Sequence, residues 1–132
     1  MTAHRSPLQG SLASCLLTAT VTLAPAGSWA SGDAKAGTDV FAAQCAECHS
    51  MKEGKNKKGP SLFAVVGRKA ASIADFKYSD PMKAGGFVWT PEQLDAYITL
   101  PKKVVPGGIM KFDGLPDAKA RADLIEFLAS VK

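Results

Sequence analysis

The clearest pattern of apolar and polar positions lies near the carboxyl-terminal end of the chain. Apolar side chains recur there at i, i+4, i+7, i+8 and i+11, with mostly polar residues between them. They are Ala120, Leu124, Phe127, Leu128 and Val131. This spacing predicts an amphipathic helix that begins at Pro116–Asp117 and runs to about Val131.

A second helix is predicted near residue 33. Asp33 is a favourable N-cap residue, and apolar residues follow it at helical spacing up to Cys45. Gly37 lies inside this helix, where glycine costs roughly 0.5–1 kcal/mol relative to alanine. We therefore expect another helix to approach closely at Gly37.

A third helix is predicted from Thr90. Thr90 is placed as the N-cap, Pro91 occupies the first helical position, and Gln93 completes a capping box. Apolar residues at 94, 97 and 98 form one face, and Pro101 is expected to end the helix. A shorter helical turn is predicted over Ser79–Lys83.

The remaining segments show little periodicity. Residues 54–77 are rich in glycine, lysine and alanine and are predicted to form a loop. The chain contains no internal repeats. The pattern as a whole predicts an all-α domain with three main helices, short helical turns and long loops, and such loops need something to wrap around.

Residues 1–30 have a different composition from the rest of the chain. They contain no acidic residue, and Arg5 precedes an apolar run from Leu12 to Ala24 that is shorter than the ~20 residues of a transmembrane helix. The tripeptide Ser28–Ala30 supplies small residues at the positions that a signal peptidase inspects. We therefore expect a secretory signal peptide, 1–30, that is cleaved after Ala30, and a periplasmic mature protein.

Cys15 carries an alternative interpretation of this segment. Residues 12–15 resemble a lipoprotein cleavage site, which would leave Cys15 as a lipidated first residue. The favoured interpretation is that Cys15 lies inside the apolar region and is discarded with the signal peptide, since no apolar stretch precedes Leu12.

The mature chain, residues 31–132, is short enough for one small domain. Of the 16 lysines and arginines only Arg5 precedes it, and all 12 acidic residues lie within it, so its net charge is +3. Lysines cluster in two places: Lys52, Lys55, Lys57 and Lys58, then Lys102, Lys103 and Lys111. Such clusters are either solvated faces or surfaces that steer an acidic redox partner, and both interpretations stay open. Nothing indicates nucleic-acid binding.

The strongest chemical motif is Cys45-Ala46-Glu47-Cys48-His49, which indicates covalent attachment of a c-type haem. The two thiols form thioethers to the haem vinyl groups, and His49 is placed as the proximal iron ligand. A zinc site would need about four nitrogen or sulfur ligands, and the mature chain has only three of cysteine or histidine type. A thioredoxin-like pair would need a βαβ pattern, which is missing.

The methionines are the candidates for a sixth iron ligand. Met51 is too close in sequence to His49 to reach the opposite haem face, and Met82 lies in a predicted short helix. Met110 lies in a loop rich in proline and glycine, which can fold over the far face of the haem. A lone methionine is usually core packing, but with one haem and no second imidazole Met110 is the best candidate.

Residues 32–132 resemble the class I c-type cytochromes, the small soluble mono-haem proteins of the mitochondrial and alpha-proteobacterial type. The resemblance is carried by Cys45–His49, by the segment Lys58–Leu62 and by the methionine-containing segment Pro106–Phe112. It implies the class I cytochrome c fold, in which the carboxyl-terminal helix crosses the first helix at Gly37. It also implies Met110 as iron ligand and a hydrogen bond from the proximal imidazole to the carbonyl of Pro60. The other haem contacts that it implies are Arg68, Tyr78 and Trp89 near the propionates, Tyr97 on the distal side and Phe112 beside the haem edge.

Two positions depart from the family pattern. Gly108 stands where a threonine is usual, and Met82 stands where a polar amide is common. Both changes remove hydrogen-bonding groups near the haem.

The implied function is that of a soluble periplasmic electron carrier and not an enzyme. It would pass single electrons between a reductase or dehydrogenase and a terminal oxidase or other acceptor. Its partners would be transient redox proteins with acidic docking faces, and the chain would be a monomer, peripheral to the membrane and not inserted. Service to one periplasmic dehydrogenase remains open. The alternative is a haem protein with a dissociable sixth ligand, either gas-binding or peroxidase-like.

Overall fold

The computed structural model describes residues 1–2 and 31–132. Five helices follow in chain order: α1 (Ala34–Gln44), α2 (Asp80–Ala84), α3 (Pro91–Thr99), α4 (Pro101–Val104) and α5 (Ala118–Ser130). Within these residues the only β-type pairing is an isolated antiparallel bridge between Lys69 and Val88. The predicted all-α class is confirmed. The predicted signal peptide, with Cys15, lies outside the described residues.

Side-chain caps define the starts of the three main helices, and the caps at Asp33 and Thr90 were predicted. The predicted capping box is not completed, because Thr90 N–H donates to Val88 O and not to the Gln93 side chain. The Asp33 carboxylate accepts from the backbone N–H of Lys35 at 2.8 Å, and the Thr90 hydroxyl accepts from Gln93 N–H at 3.2 Å. At α5 the Asp117 carboxylate accepts from Ala120 N–H at 2.6 Å. Each cap satisfies a donor that the first helical turn leaves free. The short turn predicted over 79–83 is α2, which Ser79 caps.

One helix was not predicted. Pro101 ends α3, as expected, but it also begins α4. Leu100 leaves the helical conformation, with φ −157° and ψ 88°, as proline disfavours a helical residue before it, and Pro101 then occupies the first position of a new helix. A helix of four residues has too little periodicity to be seen in the sequence.

The carboxyl-terminal helix crosses α1 at Gly37, as predicted. A Cβ atom at Gly37 would collide with the backbone carbonyl of Asp123, so only glycine permits this approach. The rings of Phe41 and Phe127 pack beside the crossing with centroids 5.5 Å apart. The buried Asp123 carboxylate accepts from Asp33 N–H at 2.6 Å and therefore joins α5 to the start of α1.

The core lies between α5, α3 and the long loops. Its most deeply buried side chains are Leu124, Val65 and Leu128, with relative exposures of 1–2%. Two long connections, residues 45–79 and 105–117, flank this core and contain most of the candidate site. None of the helices in the described ranges is long and apolar enough to cross a bilayer.

Candidate haem-binding site

A cavity of about 360 Å³ opens between the two long loops. Its volume falls in the range of about 300–1,000 Å³ that is usual for cofactor sites. All ten site residues predicted from the sequence line it: Cys45, Cys48, His49, Pro60, Arg68, Tyr78, Trp89, Tyr97, Met110 and Phe112. Six aliphatic side chains also line it: Leu62, Val65, Leu94, Ile98, Leu124 and Leu128.

The cysteine–histidine motif forms a tight turn where α1 ends. Cys45 N–H donates to Phe41 O at 2.9 Å, and His49 N–H donates to Cys45 O at 2.9 Å. The turn therefore presents Cys45, Cys48 and His49 to one cavity. Neither cysteine forms a disulfide within the described residues. Burial, with a smaller contribution from Cys48, raises the pKa of Cys45 to about 11, so this thiol is protonated at neutral pH.

The His49 imidazole is held in one orientation. Its Nδ1 lies 2.8 Å from the carbonyl oxygen of Pro60. A carbonyl only accepts, so Nδ1 carries the hydrogen and Nε2 keeps its lone pair for a metal. Burial lowers the pKa of His49, which favours the neutral form that binds metals. A Cβ atom at Gly59 would collide with this ring, so the imidazole needs glycine beside it.

The methionine loop (residues 105–115) brings Met110 to the same cavity. The Tyr97 hydroxyl donates to Met110 Sδ at 3.4 Å, and the Tyr97 ring packs edge-on against Trp89 with centroids 5.0 Å apart. Burial raises the pKa of Tyr97, so its hydroxyl stays protonated as a donor. Phe112 completes this part of the wall.

Arg68 and Tyr78 form a polar part of the wall. The Arg68 guanidinium donates to Phe63 O at 2.7 Å and to Ser61 O at 2.8 Å. Burial raises the pKa of Tyr78, and the positive charge of Arg68 opposes this shift. Arg68 thus supplies a cation at the cavity and also fixes the loop that follows Pro60, a role that the sequence did not suggest.

The two departures from the family pattern occupy different positions. Met82 is buried and lines the cavity, so an apolar side chain stands there. Gly108 lies outside the residues that line the cavity, in a bend where its N–H donates to Val105 O at 3.0 Å.

Three contributors to the site were missed from the sequence: Gly59, Lys57 and Arg121. Gly59 abuts the imidazole, and Lys57 donates to Ala46 O at 2.5 Å. Arg121 donates to the carbonyls of Leu115 and Pro116 at 2.8 Å and to Asp95 at 2.7 Å, which fixes the end of the methionine loop. The glycine directly before Pro60 was a visible signal, whereas the two cations depend on tertiary placement.

The cavity fits a haem c by the chemistry of its donors. Two thiols three residues apart line the cavity beside an imidazole whose Nδ1 is hydrogen-bonded to Pro60 O. The Met110 thioether lines the same cavity. The wall is mainly apolar, as a porphyrin plate requires, and Arg68 and Tyr78 provide polar groups for carboxylates.

Comparison with known proteins agrees with this fit. Residues 32–128 match the family model described as subunit III of the cbb3-type cytochrome c oxidase. The chain is 50% identical over 97 residues to the cytochrome c-type cyt cy of Rhodobacter capsulatus, covering 74% of this chain and 48% of that protein. This chain therefore spans about half the length of that relative.

Other relatives are matched over nearly their whole length. Cytochrome c of Arabidopsis thaliana is 46% identical over 98 residues, covering 74% of this chain and 88% of that protein. Cytochrome c2 of Rhodopila globiformis is 42% identical over 106 residues, covering 80% of this chain and all of that protein. The chain therefore belongs to the class I c-type cytochromes, with their all-α fold and a covalently attached haem c.

Proposed function

We propose that this protein carries single electrons outside the cytoplasm through a haem c whose iron is held by His49 and Met110. Membership of the cytochrome c family already makes the chain a haem-based electron carrier and not an enzyme. One observation supports the ligand set most directly: the cysteine–histidine turn and the Met110 thioether line a single cavity, and both ligand side chains are already hydrogen-bonded into position.

Each residue of the proposed site has a distinct role in holding the haem. When bound, haem c supplies an iron that alternates between the ferrous and ferric states. Cys45 and Cys48 hold it through thioether bonds, and Pro60 fixes the tautomer of His49. His49 and Met110 would both bind the iron, which would leave no ligand position for a substrate.

The environment sets the direction in which the potential is tuned. A thioether ligand favours the ferrous state, so Met110 raises the reduction potential. The aliphatic wall acts in the same direction, because it disfavours the additional positive charge of the ferric state.

We also propose that its partners are transient redox proteins with acidic docking faces. Lys111 and Ile109 line the edge of the cavity, and Ile109 is 62% exposed. Some of the lysines counted in the sequence are already paired: Lys58 with Glu47 at 2.5 Å and Lys102 with Asp113 at 3.2 Å. Attraction to an acidic partner is therefore weaker than the lysine count indicates, and it decreases further in salt.

Export of the mature domain, residues 31–132, as a peripheral monomer is part of the same proposal. It is supported by the composition of residues 1–30 and by the haem motif, since c-type haem is joined to its protein outside the cytoplasm. The mass of the purified protein tests the cleavage site: removal of residues 1–30 is expected, and a lipidated Cys15 at the amino terminus would contradict it.

A pair of methionine variants tests the ligand set. Met110→Leu is expected to abolish the weak thioether-to-iron absorption band of the ferric protein and to lower the reduction potential. Met82→Leu is the matched control, since Met82 lines the same cavity and is buried, and it is expected to keep the band. Loss of the band in Met82→Leu and its retention in Met110→Leu would overturn the assignment.

Carbon monoxide distinguishes the electron carrier from the alternative with a dissociable sixth ligand. With His49 and Met110 both bound, the reduced wild-type protein is expected to bind the gas only slowly, after Met110 leaves. Rapid binding to the folded, reduced protein would favour a gas-binding or peroxidase-like function.

A further inference from the structure

Two segments of the site run side by side in a constant register. We call residues 46–49 the haem turn and residues 57–60 the proximal segment. Each residue of the haem turn is hydrogen-bonded to the residue eleven positions later in the sequence. The four contacts are Lys57 Nζ to Ala46 O at 2.5 Å, Lys58 Nζ to Glu47 Oε1 at 2.5 Å, Gly59 N–H to Cys48 O at 2.8 Å, and His49 Nδ1 to Pro60 O at 2.8 Å.

The proximal segment is itself firmly anchored. Ser61, directly after it, is only 2% exposed. Its N–H donates to Asn56 Oδ1 at 2.9 Å, its hydroxyl donates to Lys52 O at 2.6 Å, and its carbonyl accepts from Arg68 at 2.8 Å. A further bond from Lys57 N–H to Gly59 O, at 2.9 Å, keeps the segment in a tight turn. The segment can therefore hold the haem turn in place.

Lys57 differs from the other members of the register because it brings a charge to a backbone group. Ala46 lies two residues after the end of α1, and the Lys57 ammonium group is the donor to its carbonyl oxygen. His49 lies three residues after Ala46 on the same haem turn, so Lys57 is held to the segment that presents the imidazole. The charge of Lys58, in contrast, is balanced by its ion pair with Glu47.

We propose that Lys57 is a positioning residue for the haem site: its ammonium group holds the haem turn in register with the proximal segment and raises the reduction potential of the iron bound by His49. The inference depends on the proposed function, because it takes His49 as the iron ligand. A positive charge near the iron favours the ferrous state, in which the centre carries one positive charge less.

The test compares three variants of the purified holoprotein. Lys57→Met removes the donor and the charge, and Lys57→Arg retains both. Lys55→Met is the matched control: it removes one charge from the same loop, and the Lys55 side chain makes no hydrogen bond or ion pair within the described part of the chain. Midpoint potentials are measured by spectroelectrochemistry, and exchange of the Gly59 amide hydrogen is followed by NMR.

In Lys57→Met the ratio of ferrous to ferric protein at a fixed ambient potential is expected to fall about threefold, or about 28 mV at 59 mV per tenfold for one electron. Exchange of the Gly59 amide hydrogen is expected to become several-fold faster. Without the Lys57–Ala46 contact, the adjacent hydrogen bond from Gly59 N–H to Cys48 O should open more often. Lys57→Arg should keep the wild-type potential and the wild-type Gly59 exchange rate. Lys55→Met should shift the potential by less than half as much as Lys57→Met.

Equal potential shifts in Lys57→Met and Lys55→Met would overturn the proposal, since they would reflect overall charge alone. An unchanged potential or unchanged Gly59 exchange in Lys57→Met would also overturn it. Failure of the proposed function has a different signature: the wild-type protein itself would then lack the spectrum of histidine and methionine ligation. If Lys57→Met does not accumulate as holoprotein, Lys57→Gln carries the same comparison.

Discussion

The two sides of the haem cavity are held in different ways. On the His49 side, the residues from 46 to 61 are joined by bonds among backbone and side-chain groups at almost every position. In the methionine loop, within the described chain, no backbone hydrogen bond involves residues 109–114. That stretch is held by side-chain contacts, Tyr97 to Met110 and Lys102 to Asp113.

This difference indicates that the two sides of the cavity differ in local stability. A segment with many internal bonds opens only with the rest of the fold, whereas one held by a few side chains opens locally at a lower free-energy cost. We therefore expect the Met110 side to yield first to mutation, heat or denaturant, while the imidazole stays in place.

Glycine variants on the two sides should give the largest contrast. Gly59→Ala places a methyl group against the imidazole ring, which its bond to Pro60 holds in place, and is expected to destabilise the protein by about 2–3 kcal/mol. In Gly108→Ala the new Cβ would lie 3.1 Å from Val105 O, so that a shift of a few tenths of an ångström accommodates it, and a cost below about 1 kcal/mol is expected. Urea denaturation of the holoproteins measures both, and equal costs would contradict the contrast.

Arg121 should have the next largest effect, through the methionine loop. Arg121→Met breaks a largely buried ion pair with Asp95 and leaves the carbonyls of Leu115 and Pro116 without their donor. A loss of about 2 kcal/mol is expected, with earlier thermal loss of the thioether band than of haem absorption as a whole.

The matched control for Arg121 is Lys119→Met. It removes a cation of the same helix from a different partner, Asp123, which lies away from the methionine loop at the crossing with α1. We expect this variant to leave the interval between the two thermal signals as it is in the wild-type protein. Simultaneous loss of both signals in Arg121→Met would argue against local opening of the loop.

Features that depend on residues close in sequence could be predicted, whereas contacts between distant residues could not. The helix starts at Asp33, Thr90 and Asp117 could be predicted because a cap bonds within three residues of itself. The crossing at Gly37 could be predicted because a glycine inside a helix needs a steric reason. Such features depend on neighbours in the sequence or on one residue type.

The contacts that position the ligands are of another kind. Lys57 and Ala46 meet because the intervening loop returns along the haem turn, and lysine periodicity gives no sign of that path. Arg121 was included in an amphipathic helix, yet its bonds reach α3 and the methionine loop at once. The ten cavity residues were found through the motif and the family resemblance, whereas their supports required tertiary structure.

Tyr97→Phe provides a smaller test on the methionine side. It deletes the hydroxyl that donates to Met110 Sδ and is expected to cost about 1 kcal/mol and to shift the thioether band. Burial raises the pKa of Tyr97 in the folded state, so the wild-type stability that this hydroxyl contributes is present below its ordinary pKa near 10. It is lost as pH rises through the higher folded value. Tyr97→Phe should therefore weaken the decline of stability above about pH 10, and an unchanged decline would exclude this hydroxyl as its source.

The smallest effect is expected at Ala64, which follows the densely bonded residues 46–61 on the His49 side. Ala64 has φ +50°, a left-handed conformation that costs a non-glycine residue roughly 1–2 kcal/mol, and its N–H donates to Val131 O at 3.1 Å. Ala64→Gly relieves that strain but adds freedom to the unfolded chain, worth roughly 0.5–1 kcal/mol, so a net gain of about 0.5 kcal/mol is expected. Ala70→Gly is the control: Ala70 is buried and its backbone is not left-handed, so glycine there should destabilise. A loss of stability in Ala64→Gly as large as in Ala70→Gly would mean that the bonds of this side hold Ala64 without strain.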